Sequence, residues 1–449
     1  GGQDWKEINP DIFGSMFQAV SVAEVRSGLG QHYTSVPNIM KVIEPLFLND
    51  LREEYEKADT EKKLRKLLDR IYNIKIFDPA CGSGNFLIIA YKQLRLLEMD
   101  IIQKIQTLPG QHPFMMSQLQ LQQFYGIEID DFACEIATLS LWLAEHQMNR
   151  KFKELFGDCK PSLPLSKSGN IVCGNATRLD WEEVCPKGIR GITKKEMEQK
   201  TLFELQQAKQ LEIQGTENEI YILGNPPYLG SSKQSDMQKQ DLEINFNKYQ
   251  NYKNLDYIAC WFIKGAEYIQ AINAKLGLVS TNSICQGEQV EMLWPHVFEH
   301  NVEYSFVYNS FKWSNNAKKN AGVSCIIVGL RNCCNAPKLI FNKEKCEIVK
   351  NINPYLVASN NNQIIGKMKN PLANIPKMLY GSKPVDEGNL LLSSEEKSNL
   401  IAKYPILNKY IKQYLGSDEY INGYLKYCLW IDDESYKEIK DIPEIRSRI

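Results

Sequence analysis

Residues 74–87 read IKIFDPACGSGNFL, an apolar run that ends in an acid and a proline and reopens into apolar sequence through Gly82-Ser83-Gly84. The run predicts a strand, Pro79 forbids its continuation, and the glycines allow a tight turn into a helix. A strand–turn–helix of this kind offers free backbone amides at a helix start. A lone Gly-x-Gly is a weak signal, and Leu87 stands where the dinucleotide fingerprint would place its third glycine. Asp78 would also repel a pyrophosphate. An acid there suits a ligand that carries an ammonium group.

Working outward, short apolar runs alternate with helical stretches. Strands are expected at 74–77, 124–127, 170–173, 220–223, 276–280, 302–308 and 324–328, with helices at 84–106, 131–148 and 255–273. Such alternation predicts an α/β fold with a mostly parallel sheet covered on both faces. Before it, residues 5–28 carry Ile8, Ile12, Phe13, Met16, Phe17 and Val20 at helical spacing. Ser35 and Pro37 mark the start of the next helix. The stretches 186–218 and 229–254 are rich in Lys, Gln and Glu and read as solvated insertions. After about residue 335 the texture turns to Asn, Lys and Tyr. The expected organisation is a helical connector over 1–28, a catalytic domain over 29–335 and the start of another α+β domain over 336–449.

Composition narrows the class. The formal net charge of −1 argues against a uniformly basic nucleic-acid binder but leaves room for a local basic cleft. No window approaches the roughly 20 apolar residues of a membrane span. Twelve cysteines without a CxxC pair, and five scattered histidines, favour reduced thiols over a zinc site or disulfide framework. No metal site is expected.

Two further strand ends carry polar side chains. The second is Gly126-Ile127-Glu128-Ile129-Asp130, and a carboxylate at this position is the usual clamp for ribose hydroxyls. The fourth is Gly224-Asn225-Pro226-Pro227-Tyr228, whose two prolines stop the strand and present an amide, a stiff backbone and an aromatic ring.

In this order, "DPACGSGNF", "GIEID" and "GNPPY" resemble the motifs of amino-methylating DNA methyltransferases that use S-adenosylmethionine. The upstream "GQHYTS" looks like the N-terminal motif of the adenine-N6 group whose recognition domain comes last. Longer stretches, "HYTSVPNIMKVIEPLFL", "STNSICQGEQV", "FKWSNNAK" and "GSKPVDEGNLLLS", are similar to the MmeI-like single-chain restriction–modification enzymes. The resemblance implies a Rossmann-like class I methyltransferase with a seven-stranded sheet, an N-terminal helical segment and a C-terminal target-recognition region, cut short at Ile449. It implies a bacterial cytoplasmic monomer acting on double-stranded DNA, joined in the full-length protein to a nuclease domain.

The family pattern also assigns residues. Thr34, Asp78, Ala80, Gly82 and Gly84 would surround the methionine part of the cofactor, and Tyr33, Pro79 and Asn85 would also bind the cofactor. Glu128 would hold the ribose and Ile129 would cover the adenine ring. Asn175 stands where the third strand usually offers an acid to the cofactor's amine, and its side-chain oxygen can accept instead. Asn225 and Pro226 would accept the two hydrogens of the target amine, with Pro227 stiffening the corner. Tyr228 would stack on a base flipped from the duplex. Phe311, or else Trp313, would form the other face of the sandwich. Rival readings are cytosine-N4 methylation, which more often carries Ser at the position of Asn225, and a DNA-binding or endonuclease fragment without methyl transfer. No Pro-Asp followed by a spaced Glu-x-Lys supports cleavage.

Overall fold

The computed structural model of the chain describes residues 34–110, 115–157, 170–187, 218–312, 324–343, 345–366, 368, 370, 371, 373–376, 386 and 388–449. The expected connector over 1–28, Tyr33 and Trp313 lie outside them. Two compact units divide the chain, the second comprising Met368–Ile449.

In the first unit, α1 (Val36–Ile43) runs through a wider turn, Glu44–Leu48, into α2 (Asn49–Lys57). Ser35 is its N-cap and Pro37 lies in its first turn. The cap works through the Ser35 carbonyl, which accepts from Asn38 and Ile39, and not through the hydroxyl. After α3 (Glu61–Tyr72) come β1 (Ile74–Asp78), α4 (Asn85–Thr107), β2 (Phe124–Glu128), α5 (Asp131–Phe156), β3 (Asn170–Cys173), α6 (Trp181–Val184) and β4 (Glu219–Gly224). There follow α7 (Asp236–Phe246), α8 (Ala259–Ile269), β5 (Ala274–Thr281), α9 (Glu288–Phe298), β6 (Val302–Lys312) and β7 (Ser324–Asn332), then β8 (Lys338–Asn342) and β9 (Lys345–Val349).

The sheet order is β3-β2-β1-β4-β5-β7-β6-β8-β9. Strands β3, β2, β1, β4 and β5 are parallel, and β7 is antiparallel to both β5 and β6. All seven expected strands form, but the sheet has nine. The β8–β9 hairpin adds to β6 beyond the break expected at residue 335. It escapes a composition reading because β9 is largely solvent-exposed, so it lacks the apolar run of a buried strand. Stacking of Phe341 on Tyr308, with centroids 4.2 Å apart, holds the hairpin to the sheet.

Alternation along the strands feeds two cores. Ile74, Ile76, Tyr221 and Leu223 face one, covered by α1 to α5, whereas Phe77, Ile220 and Ile222 face the other, covered by α6 to α9. The apolar runs thus belong to strands buried on both faces. Helix α4 has 23 residues, which accounts for the long interval between the Gly84 turn and Glu128. Among the described residues no helix is long and apolar enough to cross a membrane.

The second unit pairs β10 (Leu391–Leu392), β12 (Lys426–Leu429) and β11 (Ile411–Tyr414) in a small antiparallel sheet. Its core contains Leu392, Leu400, Leu407, Tyr410, Leu429, Ile439 and Ile445.

Candidate active site at the carboxyl ends of β1 and β4

Strand order reverses between β1 and β4, because β2 and β3 lie on one side of β1 and β4 and β5 on the other. Open parallel sheets bind ligands at such a switch point, in the crevice beyond the carboxyl ends. The turn after β1 and the corner after β4 therefore face each other across it. A Cβ built on Gly224 would lie 2.5 Å from Asp78 Oδ1, so the two motifs are in direct contact.

The turn after β1 is built from local bonds. Gly84, with φ of +84°, is the N-cap of α4, and a Cβ there would come within 3.2 Å of the Ala137 side chain. Glycine thus serves both the left-handed backbone and the close approach of α5. Ala80 N donates to Asp78 Oδ1 at 3.0 Å, and Trp261 Nε1 of α8 donates to the Pro79 carbonyl at 3.0 Å. Gly82 N donates to Glu128 Oε2 at 2.9 Å, joining the turn to the end of β2. The other Glu128 oxygen accepts from Ile129 N and Asp130 N at 2.9 and 3.1 Å. Beside it Ile129 is 51% exposed, an apolar side chain open to a ligand's flat face.

Among the described residues, three buried acceptor oxygens in this region have no hydrogen-bond partner: Asp78 Oδ2, Asn85 Oδ1 and Asn225 Oδ1. Buried acceptors are normally satisfied, so a cluster of orphans is what a site awaiting donors shows. An ammonium group fits the first of them, and an exocyclic amine fits the last. Asn225 Nδ2 donates to Thr34 Oγ1 at 3.4 Å, which leaves its oxygen as the free end of the amide.

Burial pushes the Asp78 carboxyl up to about 8, against the pull of the Ala80 amide and with the neighbouring Glu128 adding to it. Glu128 is raised too, chiefly by burial, although three backbone amides favour its charged form. A cationic ligand pairing with ionised Asp78 must therefore release a proton below about pH 8. We expect affinity for an ammonium-bearing ligand to rise from pH 6 to 8, by up to about tenfold per unit, and then level off. Calorimetry at pH 7 in buffers of different ionisation enthalpy would measure that proton, and identical heats would refute the pairing. Without ligand the folded chain holds a proton that the unfolded chain has lost. This contribution to stability is full below the ordinary value of 3.8 and is lost as pH rises through about 8.

At the other face of the crevice, Tyr228 packs against the second core and its hydroxyl pairs with the Cys325 thiol of β7. Burial raises this hydroxyl above the ordinary tyrosine range. Cys325 is also the cross-strand partner of Phe311. Directly paired residues share a sheet face, so Phe311 lies beside the residue whose thiol the Tyr228 hydroxyl meets. A bulge makes this possible. From Tyr308 to Phe311 β6 advances three residues while β7 advances two, from Ile327 to Cys325. The extra residue turns Phe311 onto the same face as Tyr308. Lys41 Nζ stands 4.5 Å from the Phe311 ring centre.

Asn175 stands just beyond β3, where its amide is bonded at both ends. Its side-chain oxygen accepts from Thr177 N at 2.9 Å and Thr177 Oγ1 at 2.7 Å, and its Nδ2 donates to Asp241 Oδ2 at 3.0 Å. The amide closes a turn and carries no free acceptor of the kind seen at Asn225. Sequence reading also missed Asp241 and Asp256. Asp241 of α7, a segment expected to be solvated, is 2% exposed and binds Arg178 at 2.6 Å and the Tyr257 hydroxyl at 2.7 Å. Asp256 binds the backbone after Tyr228. Its one sequence signal is an acid just ahead of the apolar helix α8, which reads as an ordinary cap.

With this geometry in hand, likeness to known proteins can be weighed. Residues 54–342 match the family model for the MmeI DNA-methyltransferase domain, and residues 359–449 match that for the MmeI target recognition domain. A protein of Bacillus subtilis (strain 168) named DNA methyltransferase A is 48% identical over 449 residues, 99% of this chain and 48% of that protein. The Type IIL restriction-modification enzyme MmeI, solved in complex with DNA, superposes with a TM-score of 0.84 at 38% identity. That match covers 99% of this chain and 57% of that one. The Escherichia coli Type II restriction enzyme and methyltransferase RM.Eco57I is 26% identical over 197 residues, 41% of this chain and 18% of that protein. The chain thus spans about half the length of the Bacillus subtilis protein and of MmeI. A family match over most of the α/β unit, followed by one over the second unit, shows that this chain belongs to the MmeI family of DNA methyltransferases, with the catalytic domain preceding the recognition domain.

Proposed function

We propose that the chain transfers a methyl group from S-adenosylmethionine to the exocyclic N6 amine of an adenine flipped from a specific double-stranded DNA sequence, as the modification part of a restriction–modification enzyme of the bacterial cytoplasm. The observation that carries this reading is the orphaned, buried Asn225 Oδ1, with its amide tied to Thr34, next to the orphaned Asp78 Oδ2. DNA as the substrate is supported by the recognition-domain match and by the DNA complex of the similar MmeI.

The residues divide the work. Bound S-adenosylmethionine supplies an electrophilic methyl group on a sulfonium centre. Asp78 takes the ammonium of its methionine part, Asn85 adds a second acceptor, and Glu128 holds the ribose hydroxyls while Ile129 covers the adenine. Tyr228 and Phe311 enclose the target base. An exocyclic amine is a poor nucleophile while its lone pair is delocalised into the ring. By accepting the two amine hydrogens, Asn225 Oδ1 and the Pro226 carbonyl hold that nitrogen with its lone pair turned toward the methyl group. Pro226 and Pro227 fix the acceptors beforehand, so little reorganisation accompanies transfer.

The deciding experiment is tritiated methyl transfer to mixed-sequence DNA followed by digestion to nucleosides. Label in N6-methyl-2′-deoxyadenosine is expected. Label in N4-methyl-2′-deoxycytidine would redirect the substrate assignment, and no label would remove the activity.

A further inference from the structure

We infer that Asp256 is a positioning residue for the target-base corner, fixing the backbone just after Tyr228 and with it the ring on which the base stacks. This rests on the reading of Tyr228 given above.

Both backbone groups of Leu229 are held. Its N–H donates to Asp256 Oδ1 at 2.9 Å, and its carbonyl accepts from Tyr257 N at 3.0 Å and from Gln234 Nε2 at 2.8 Å. On the other side of Tyr228, the rings of Pro226 and Pro227 fix φ. Tyr228 is therefore the one residue between a stiff dipeptide and a pinned one, and the aim of its ring depends on both.

Asp256 is itself held from several sides. It is 6% exposed, its N–H donates to Gln289 Oε1 at 2.9 Å, and the Ser283 hydroxyl reaches its carboxylate. Ser283 and Gln289 both belong to the "STNSICQGEQV" stretch, for which the chemistry of transfer provides no other task. The carboxylate also accepts from Ile258 N at 3.3 Å, as a helix cap would. That local bond is longer than the one to Leu229, 27 residues away. Holding a buried carboxylate on a loop amide has a desolvation cost, which a cap alone would not require.

The test uses the whole chain and a duplex of the sequence it methylates, with 2-aminopurine at the target position. Asp256→Ala should lower the single-turnover rate about tenfold to a hundredfold, the scale of a small misplacement of reacting groups, with cofactor affinity unchanged. The 2-aminopurine signal should move toward that of Tyr228→Ala. Asp256→Asn keeps an acceptor oxygen and should restore most of both. A folded Asp256→Ala protein with wild-type rate and fluorescence overturns the assignment, as does failure of Asp256→Asn to rescue. Should Asp256→Ala not fold, Gln289→Ala frees the Asp256 amide and leaves its carboxylate. The same fluorescence shift with about a threefold to tenfold slower rate is then expected, and no change overturns the proposal. Loss of stacking in Tyr228→Ala but not in the Asp256 and Gln289 variants sinks the Asp256 role alone. A wild-type chain that transfers no methyl group removes both readings together.

Discussion

Asn225→Ala is expected to abolish most methyl transfer while leaving cofactor affinity and DNA binding near wild type. The substitution removes the buried Oδ1 acceptor and the bond to Thr34, but leaves the Asp78–Gly84 turn and both aromatic rings in place. Loss of one preorganised polar group at a reacting centre costs on the order of 3 kcal/mol, a hundredfold or more in rate. Single-turnover methylation beside a cofactor titration separates the two effects. A variant that methylates at the normal rate would reduce the Asn-Pro-Pro-Tyr corner to a turn.

Gly224→Ala should do the reverse damage, striking the cofactor through the target side. A methyl group there meets Asp78 Oδ1 at 2.5 Å, and Asp78 is buried, its other oxygen without a hydrogen-bond partner among the described residues. The carboxylate has to move. Overpacking of this kind costs about 1–3 kcal/mol, so cofactor affinity is expected to fall roughly fivefold to 150-fold. The backbone of Gly224 also has a φ of +156°, at the margin of what a side chain tolerates. Calorimetry with the cofactor is the measurement, accompanied by a melting curve to show that the variant folds. Undiminished affinity would mean that the two motifs do not share a wall.

Much of this was legible in the chain. The alternation of apolar runs and helical stretches located every strand from β1 to β7, and the motif turns located the acids and the amide. Several boundaries moved: α5 runs on to Phe156, β6 to Lys312 and β7 to Asn332, each beyond its expected end. Helix α8 was expected from 255 and begins at Ala259, because residues 255–258 are held by Gln234, Asp256 and Leu229. The Asn175 amide is likewise engaged by neighbours, Thr177 at its oxygen and Asp241 at its nitrogen.

Local devices can be read along the chain: where proline stops a strand, where glycine permits a turn, and which side chain stands at each strand tip. These follow from φ restrictions and side-chain alternation, which depend on neighbours in the chain. Which tips meet depends on the packing of the whole sheet. The β1/β4 switch point brings Asp78 against Gly224, the β6 bulge turns Phe311 toward the thiol that Tyr228 touches, and Asp256 reaches back to Leu229. The fold also decides which way a strand-end amide turns. Thr177, two residues on, fills the Asn175 oxygen in a local turn, whereas Thr34, far back in the chain, takes the Nδ2 of Asn225 and leaves its oxygen without a partner among the described residues.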